Sequence, residues 1–222
     1  MQHIEDYTQI TRFHGHECPG SAVGLRMAQV AVSRLGRHGA GNEIIAVGET
    51  DSCAVDAVQV LTGCTFGNRR LTHQDNGKVA FTFWRAADDT GIRVTARPGS
   101  DAYRSEELWD LAHKVEDGTA DDDERERFQR AQAERIRRIL AAPVEEILVT
   151  ETVTGQAPEA KKLQPFAACE GCDEQTSTAL LHFHRGRMLC PPCHLDAHGG
   201  VLPPDHAHHD HQHAHAHAHH HH

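Results

Sequence analysis

No stretch of the chain approaches the ~18 consecutive apolar residues that a membrane-crossing helix needs, so the sequence offers no candidate span. The opening MQHIEDYTQI lacks the basic start and apolar centre of a signal peptide, and the expectation is a cytoplasmic protein with no membrane role. Cations are scarce as well. With 22 Lys and Arg against 32 Asp and Glu the formal net charge is -10, which argues against a general binder of phosphate backbones, and no nucleic-acid partner is expected. A hydrophobic content of 38% over 222 residues supports one mid-sized core with a small appended unit and leaves too little for two full domains.

What the chain does have is seven cysteines. Without an export signal these read as thiols or metal ligands, because a reducing compartment keeps ordinary disulfides open. Four form two Cys-x-x-Cys knuckles, Cys169 with Cys172 and Cys190 with Cys193. Two intervening residues let both thiolates of a knuckle face one ion, and four thiolates close a tetrahedral shell, so a structural Zn²⁺ is expected there. The redox alternative lacks the βαβ surroundings of a thioredoxin-like motif. Between the knuckles, HFHRGRMLC reads as a hairpin turning at Arg185-Gly186, and a short helix is expected after the fourth ligand, giving a treble-clef-like finger. His194 and His198, spaced i, i+4, offer a second ion a site, but solvent-exposed histidine is the preferred reading of that pair.

Helical spacing of Val23, Met27, Val30 and Ala31 predicts a helix over 21–35, starting just after Cys18. EIIAVG (43–48) reads as a buried strand that delivers the chain to a second helix, CAVDAVQVL, N-capped by Asp51 or Ser52 and carrying Cys53 in its first turn. KVAFTFWR and residues 92–96 form a hairpin around Asp88-Asp89-Thr90-Gly91. Two charged helices follow, over 103–116 and 121–140, with Ser105 or Thr119 as N-caps. A last core strand spans 146–153, and a polar linker comes after it. The organisation expected is a core over 1–154, a linker over 155–165, a zinc finger over 166–202 and a His-rich tail over 203–222. That tail, with Ala, Asp and Gln between its histidines, reads as a native metal-sequestering tract in preference to a purification tag.

The turn FHGHECPG sets His14, His16, Glu17 and Cys18 together at a helix start, where the positive end of the helix dipole lowers a thiol pKa. Cys53 repeats the placement. Imidazole and thiolate suit Zn²⁺, Ni²⁺ or Cu, so His14, His16, Cys18 and Cys53 are a candidate core metal site. The alternative is an enzyme in which Cys53 is the nucleophile or redox thiol and His16 its base. Burial of these cysteines as ordinary small apolar residues is the remaining reading, and it suits Cys64 in particular.

The strings FHGHECPGSAVGLRMA, ETDSCAVDAVQVLTGCTFGNRRL and NGKVAFTFW, followed by the paired Cys-x-x-Cys, closely resemble the FmdE family, which takes its name from formylmethanofuran dehydrogenase. The resemblance implies an α+β fold, a mixed or antiparallel sheet packed with helices, with an auxiliary zinc finger and often a homodimer. It implies a core site at His16, Cys18 and Cys53, with His14, Asp51 and Asp56 close by and Cys64 nearer the edge. Members are named for a molybdenum or tungsten enzyme, which makes such an enzyme or a metal-delivery partner the expected associate and metal or cofactor handling the expected role. One departure from the family pattern is an acidic helical insert over roughly 106–140.

Overall fold

The computed structural model describes residues 2–102, 106–159 and 162–200. The chain divides into two compact units, Met1–Lys161 and Lys162–His222. The first is α+β. Its five-stranded sheet has the order β2-β1-β3-β4-β5, with β1 (Ile44–Gly48), β2 (Leu71–His73), β3 (Ala80–Arg85), β4 (Thr90–Ala96) and β5 (Leu148–Val153). Only the β1–β2 pair is parallel; β1–β3, β3–β4 and β4–β5 are antiparallel. Strand β2 is three residues long and went unforeseen, since three residues carry no alternation to read.

Helices α1 (Gln2–His14), α2 (Pro19–Leu35) and α3 (Ala54–Thr62) carry the cysteine-rich end of this unit. Helix α1 was also unforeseen, although Tyr7, Ile10 and His14 recur at i, i+3 and i+7 and the first two are buried. Gly15, at φ 93°, ends it. Cys18 is the N-cap of α2, its sulfur accepting from the Ser21 N–H at 3.3 Å, and Pro19 fills the first helical turn, where no amide donor is missed. Cys53, expected inside the first turn of α3, is instead its N-cap residue, and neither Asp51 nor Ser52 caps that helix.

Helices α4 (Glu106–Glu116) and α5 (Asp122–Ala141) form the insert. The N-cap of α5 is Asp121, not Thr119, because Asp121 and Glu124 complete a reciprocal capping box. Tyr103 and Ser105, at the expected start of α4, lie outside the described residues. Ile136 and Ile139 join the main core, and buried Arg26 of α2 donates to the Leu140 and Ala142 carbonyls at 2.7 and 2.8 Å. The insert is therefore packed into the unit. Its charged residues face outward, and a short turn of helix, α6 (Val144–Ile147), takes the first residues expected of the last strand.

Helices α2 and α3 meet along glycines. A Cβ on Gly24 would lie 2.5 Å from the Ala54 carbonyl oxygen and 2.6 Å from its Cα, and one on Gly20 would lie 3.0 Å from the Cys53 Cβ. Backbone cannot yield as a side-chain tip does, so the approach requires glycine at position 24. In an open helix Gly→Ala would stabilise by about 1 kcal/mol. Here Gly24→Ala is expected to destabilise by roughly 1–3 kcal/mol, the cost of overpacking. Urea unfolding of the two proteins checks this, and a rise in midpoint would contradict the packing argument.

Candidate metal centre

The C-terminal end of α1 and the N-termini of α2 and α3 converge. His14, on the last turn of α1, bridges the other two: its Nδ1 is 2.7 Å from Asp56 Oδ2 on α3, and its Nε2 is 3.6 Å from Cys18 Sγ. His16 tilts against His14 with ring centroids 4.5 Å apart. One donor atom from each of His14, His16 and Cys18 falls within 4.8 Å of the others, a spacing that could hold a metal ion. Tyr7 donates its hydroxyl proton to the Cys18 carbonyl at 3.1 Å, and the Ser21 hydroxyl does the same at 2.8 Å, which fixes the turn.

Cys53 reaches the same place from the other helix, and its thiol is hydrogen-bonded to Cys18. That bond does most to lower the Cys18 pKa, to about 4; burial opposes it, and Ser21 and His14 add to it. Cys53 is pushed up correspondingly, first by the Cys18 sulfur and then by burial. Two adjacent sulfurs thus share one proton, Cys18 being the thiolate and Cys53 the donor. Partial burial works against protonation of His14, but Asp56 and the Cys18 sulfur outweigh it and raise its pKa. The expectation of Cys53 as thiolate with His16 as base is at odds with this geometry, in which the ionised sulfur is Cys18 and the imidazole bonded to it is His14.

Beside these groups opens a cavity of about 460 Å³, with His14, Asp51, Cys53, Asp56, Phe66 and His73 among its lining residues. Cys64 stands apart: it is fully buried, donates to the Ile44 carbonyl at 3.4 Å, and burial pushes its pKa up to about 11. Sequence reasoning included His14 but missed Tyr7, Ser21 and the ion pair with Asp56, all of which depend on α1. The donor set, two imidazoles and a thiolate with a second thiol adjoining, fits a borderline divalent cation.

The second unit is built on two hairpins and a helix: β6 (Phe166–Ala168) with β7 (Gln175–Ser177), β8 (His182–His184) with β9 (Arg187–Leu189), and α7 (Pro191–Ala197). The turn at Arg185-Gly186 has both residues at positive φ, 47° and 82°. Helix α7 begins before the fourth cysteine, because Cys190 is its N-cap and Pro191 and Pro192 suit its first turn. Cys193 therefore lies within the helix. The four sulfurs have Sγ atoms within 4.8 Å of one another, Cys172 and Cys190 being 3.8 Å apart. A tetrahedral ion with metal–sulfur bonds of about 2.3 Å demands about that separation. The Cys190 and Gly171 amides donate to Cys169 Sγ at 3.2 and 3.3 Å and hold its pKa down to about 6. Apolar packing here reaches only Leu181, Leu189 and the cysteines themselves, too little to fold the unit unaided. The cluster fits a zinc finger. The His-rich stretch 206–222 lies outside the described residues.

A family model described as "FmdE, Molybdenum formylmethanofuran dehydrogenase operon" matches residues 13–149. A curated relative from Archaeoglobus fulgidus, described as a probable S-adenosyl-L-methionine-binding protein, is 36% identical over 171 residues, or 73% of this chain. Those residues span 46% of that relative, about half its length. The crystal structure of an FmdE-like protein of tungsten formylmethanofuran dehydrogenase from Syntrophus aciditrophicus superposes with a TM-score of 0.57 at 27% identity, covering 90% of this chain and 95% of that one.

In metal-free protein the ultraviolet thiolate absorbance assigned to Cys18, taken as the difference from Cys18→Ser, should persist as pH falls from 8 to 5 and vanish only through about 4. Since the folded pKa lies below that of a free thiol, the stability Cys18 contributes is fully present above the ordinary thiol range. It is lost as pH falls towards 4. Asp56→Asn removes the partner of His14 and should lower the His14 pKa, read by NMR titration of its ring protons; an unchanged value would mean that Asp56 does not support the imidazolium.

Proposed function

We infer a metal-handling role from a plain premise: the chain belongs to the FmdE family. The observation that carries the reading is the cluster of His14, His16 and Cys18, with donor atoms within 4.8 Å of one another on the rim of an open cavity. Imidazole and thiolate donors select borderline transition metals such as Zn²⁺ or Ni²⁺ over hard cations. A bound ion there supplies charge that keeps thiolates deprotonated and polarises a ligand in the cavity. Cys18 and the two histidines are the donors, and Cys53 joins them once its proton is lost. Asp56 orients His14 through Nδ1, the usual second-sphere partner of a ligating imidazole.

In this reading the four-cysteine cluster of Cys169, Cys172, Cys190 and Cys193 holds a structural Zn²⁺ that folds the finger, while the core cluster is the working site. The protein then acts, as a cytoplasmic homodimer, in metal or cofactor delivery to a molybdenum- or tungsten-dependent enzyme, the association that the family's description names. Among the described residues no helix is long and apolar enough to cross a membrane.

A second reading is favoured by the cavity itself. Asp51 and Asp56 lie on its wall, and a space of about 460 Å³ flanked by carboxylates suits a cationic small molecule. S-adenosyl-L-methionine carries a sulfonium cation, and the Archaeoglobus relative is described as its probable binder. Calorimetric titration with that compound should give heat that Asp51→Asn diminishes severalfold; absence of heat at large ligand excess would remove this reading.

For the metal site, elemental analysis is the direct measurement. A chain ending after Gly200 and its His16→Gln/Cys18→Ser variant are compared after reconstitution with Zn²⁺ or Ni²⁺ and desalting. The variant should hold about one equivalent less than the parent while keeping the thiolate-bound ion of the finger. Equal metal content in the two proteins would defeat the core site.

A further inference from the structure

The finger contains a second group of donors that the four thiolates do not use. His184 closes β8, His194 sits in α7 directly after Cys193, and His198 is the C-cap of α7. One ring nitrogen from each falls within 4.8 Å of those of the other two. The i, i+4 spacing of His194 and His198 sets two rings on one face of the helix, and the turn at Arg185-Gly186 folds the third across to meet them.

Ring geometry is that of convergence on a point. The planes of His184 and His198 are inclined at 72° with centroids 4.5 Å apart, and those of His194 and His198 at 70° and 4.7 Å. His184 and His194 meet at 79° and 5.8 Å. Three mutually edge-on imidazoles are what a tetrahedral ion gathers when each ring presents one nitrogen along a different bond. His194 is only 4% exposed, unlike the solvent-facing ring expected of it, and His182 stacks on its far side at 4.7 Å and 20°. That stacked neighbour holds the His194 ring in place, as a ligand's surroundings must.

We propose that the finger is a two-ion module, in which His184, His194 and His198 bind a borderline divalent cation (Zn²⁺, Cu²⁺ or Ni²⁺) separate from the four-thiolate ion. Three neutral imidazoles leave one coordination position to water or an incoming ligand, so this site is open where the thiolate shell is closed. Cys193 and His194 are consecutive residues of one helix, which ties the two ions to the same structural element. The second ion also links the end of β8 to the end of α7. The proposal does not rest on the core cluster of the first unit.

Crystals of the full chain grown with Zn²⁺ and recorded at the zinc absorption edge test it site by site, whatever the His-rich stretch binds. Two anomalous peaks are expected in the finger, one among the four sulfurs and one about 2.0–2.1 Å from nitrogens of His184, His194 and His198. A sulfur peak alone overturns the proposal. In solution, the full chain and its His184→Gln/His198→Gln variant are loaded with Co²⁺ and titrated. Neither of the two substituted residues belongs to the buried set, and sulfur-to-cobalt charge-transfer absorbance shows whether the thiolate shell, and hence the fold of the finger, survives. With that absorbance retained, the variant should lose one equivalent of imidazole-bound cobalt from the tighter phase of the titration; an identical titration overturns the second site. If the absorbance is lost, His184→Gln alone is measured in the same way and must weaken that equivalent by at least tenfold.

Discussion

Everything at the cysteine-rich end of the core depends on how closely two helices approach. Glycines at positions 20 and 24 are one helical turn apart on the face of α2 that meets α3, and at each a methyl group would collide with or crowd that helix. Without a side chain at either position the N-terminus of α3 comes to rest beside the N-terminus of α2, and the two N-cap residues, Cys18 and Cys53, become neighbours. Helix starts ordinarily repel one another through their dipoles, since each carries partial positive charge. A shared negative charge offsets that repulsion. The thiolate at Cys18 lies where two positive ends meet, and the electrostatics of the site follow from the packing.

The consequence is a division of roles between chemically identical residues. Cys18 accepts from the Ser21 amide and is bonded to His14, so its ionised form is the better solvated; Cys53 has no cap bond and gives its hydrogen to Cys18. Asp56 reinforces the difference from a distance, because it raises the His14 pKa and keeps a positive ring next to Cys18 while lying one turn beyond Cys53 on the same helix, where its own charge disfavours a second thiolate. A cation entering between the histidines and Cys18 would reverse that last effect. It would bring Cys53 into the ionised state and convert a one-thiolate site into a two-thiolate one.

Much of this was legible in the chain, and what was not has a common cause. The two helix starts were visible because Pro-Gly and Asp-Ser precede apolar runs of helical period, and the finger because its four ligands are local pairs whose spacing is itself the geometric requirement. The part played by His14 was hidden with α1, whose polar sequence shows its apolar face only at Tyr7 and Ile10. Its partner Asp56 is 42 residues away, and no local pattern announces such a pair. In the finger, His194 and His198 could be read as an i, i+4 pair, yet nothing in HFHRG states that the hairpin bends back onto that helix face. Residues joined by tertiary closure are the ones a linear reading undercounts.

The two units also differ in what a metal must do for them. The first is held by a sheet, a layer of helices and a continuous apolar core that includes Phe81, Phe83, Leu25 and Met27, so its cysteine cluster sits on a scaffold that stands without an ion. Such a site can bind and release metal while the fold persists, and Cys18 and His14 hold their charges ready in the meantime. The finger has three buried apolar or sulfur-bearing residues at its centre and two half-buried ones around them, and Gly171 must be bare because Cys193 and Leu189 press against it. There, binding free energy is folding free energy, and loss of the ion is loss of the unit. Exchangeable chemistry therefore belongs to the scaffold that can survive without metal, and permanent occupancy to the one that cannot.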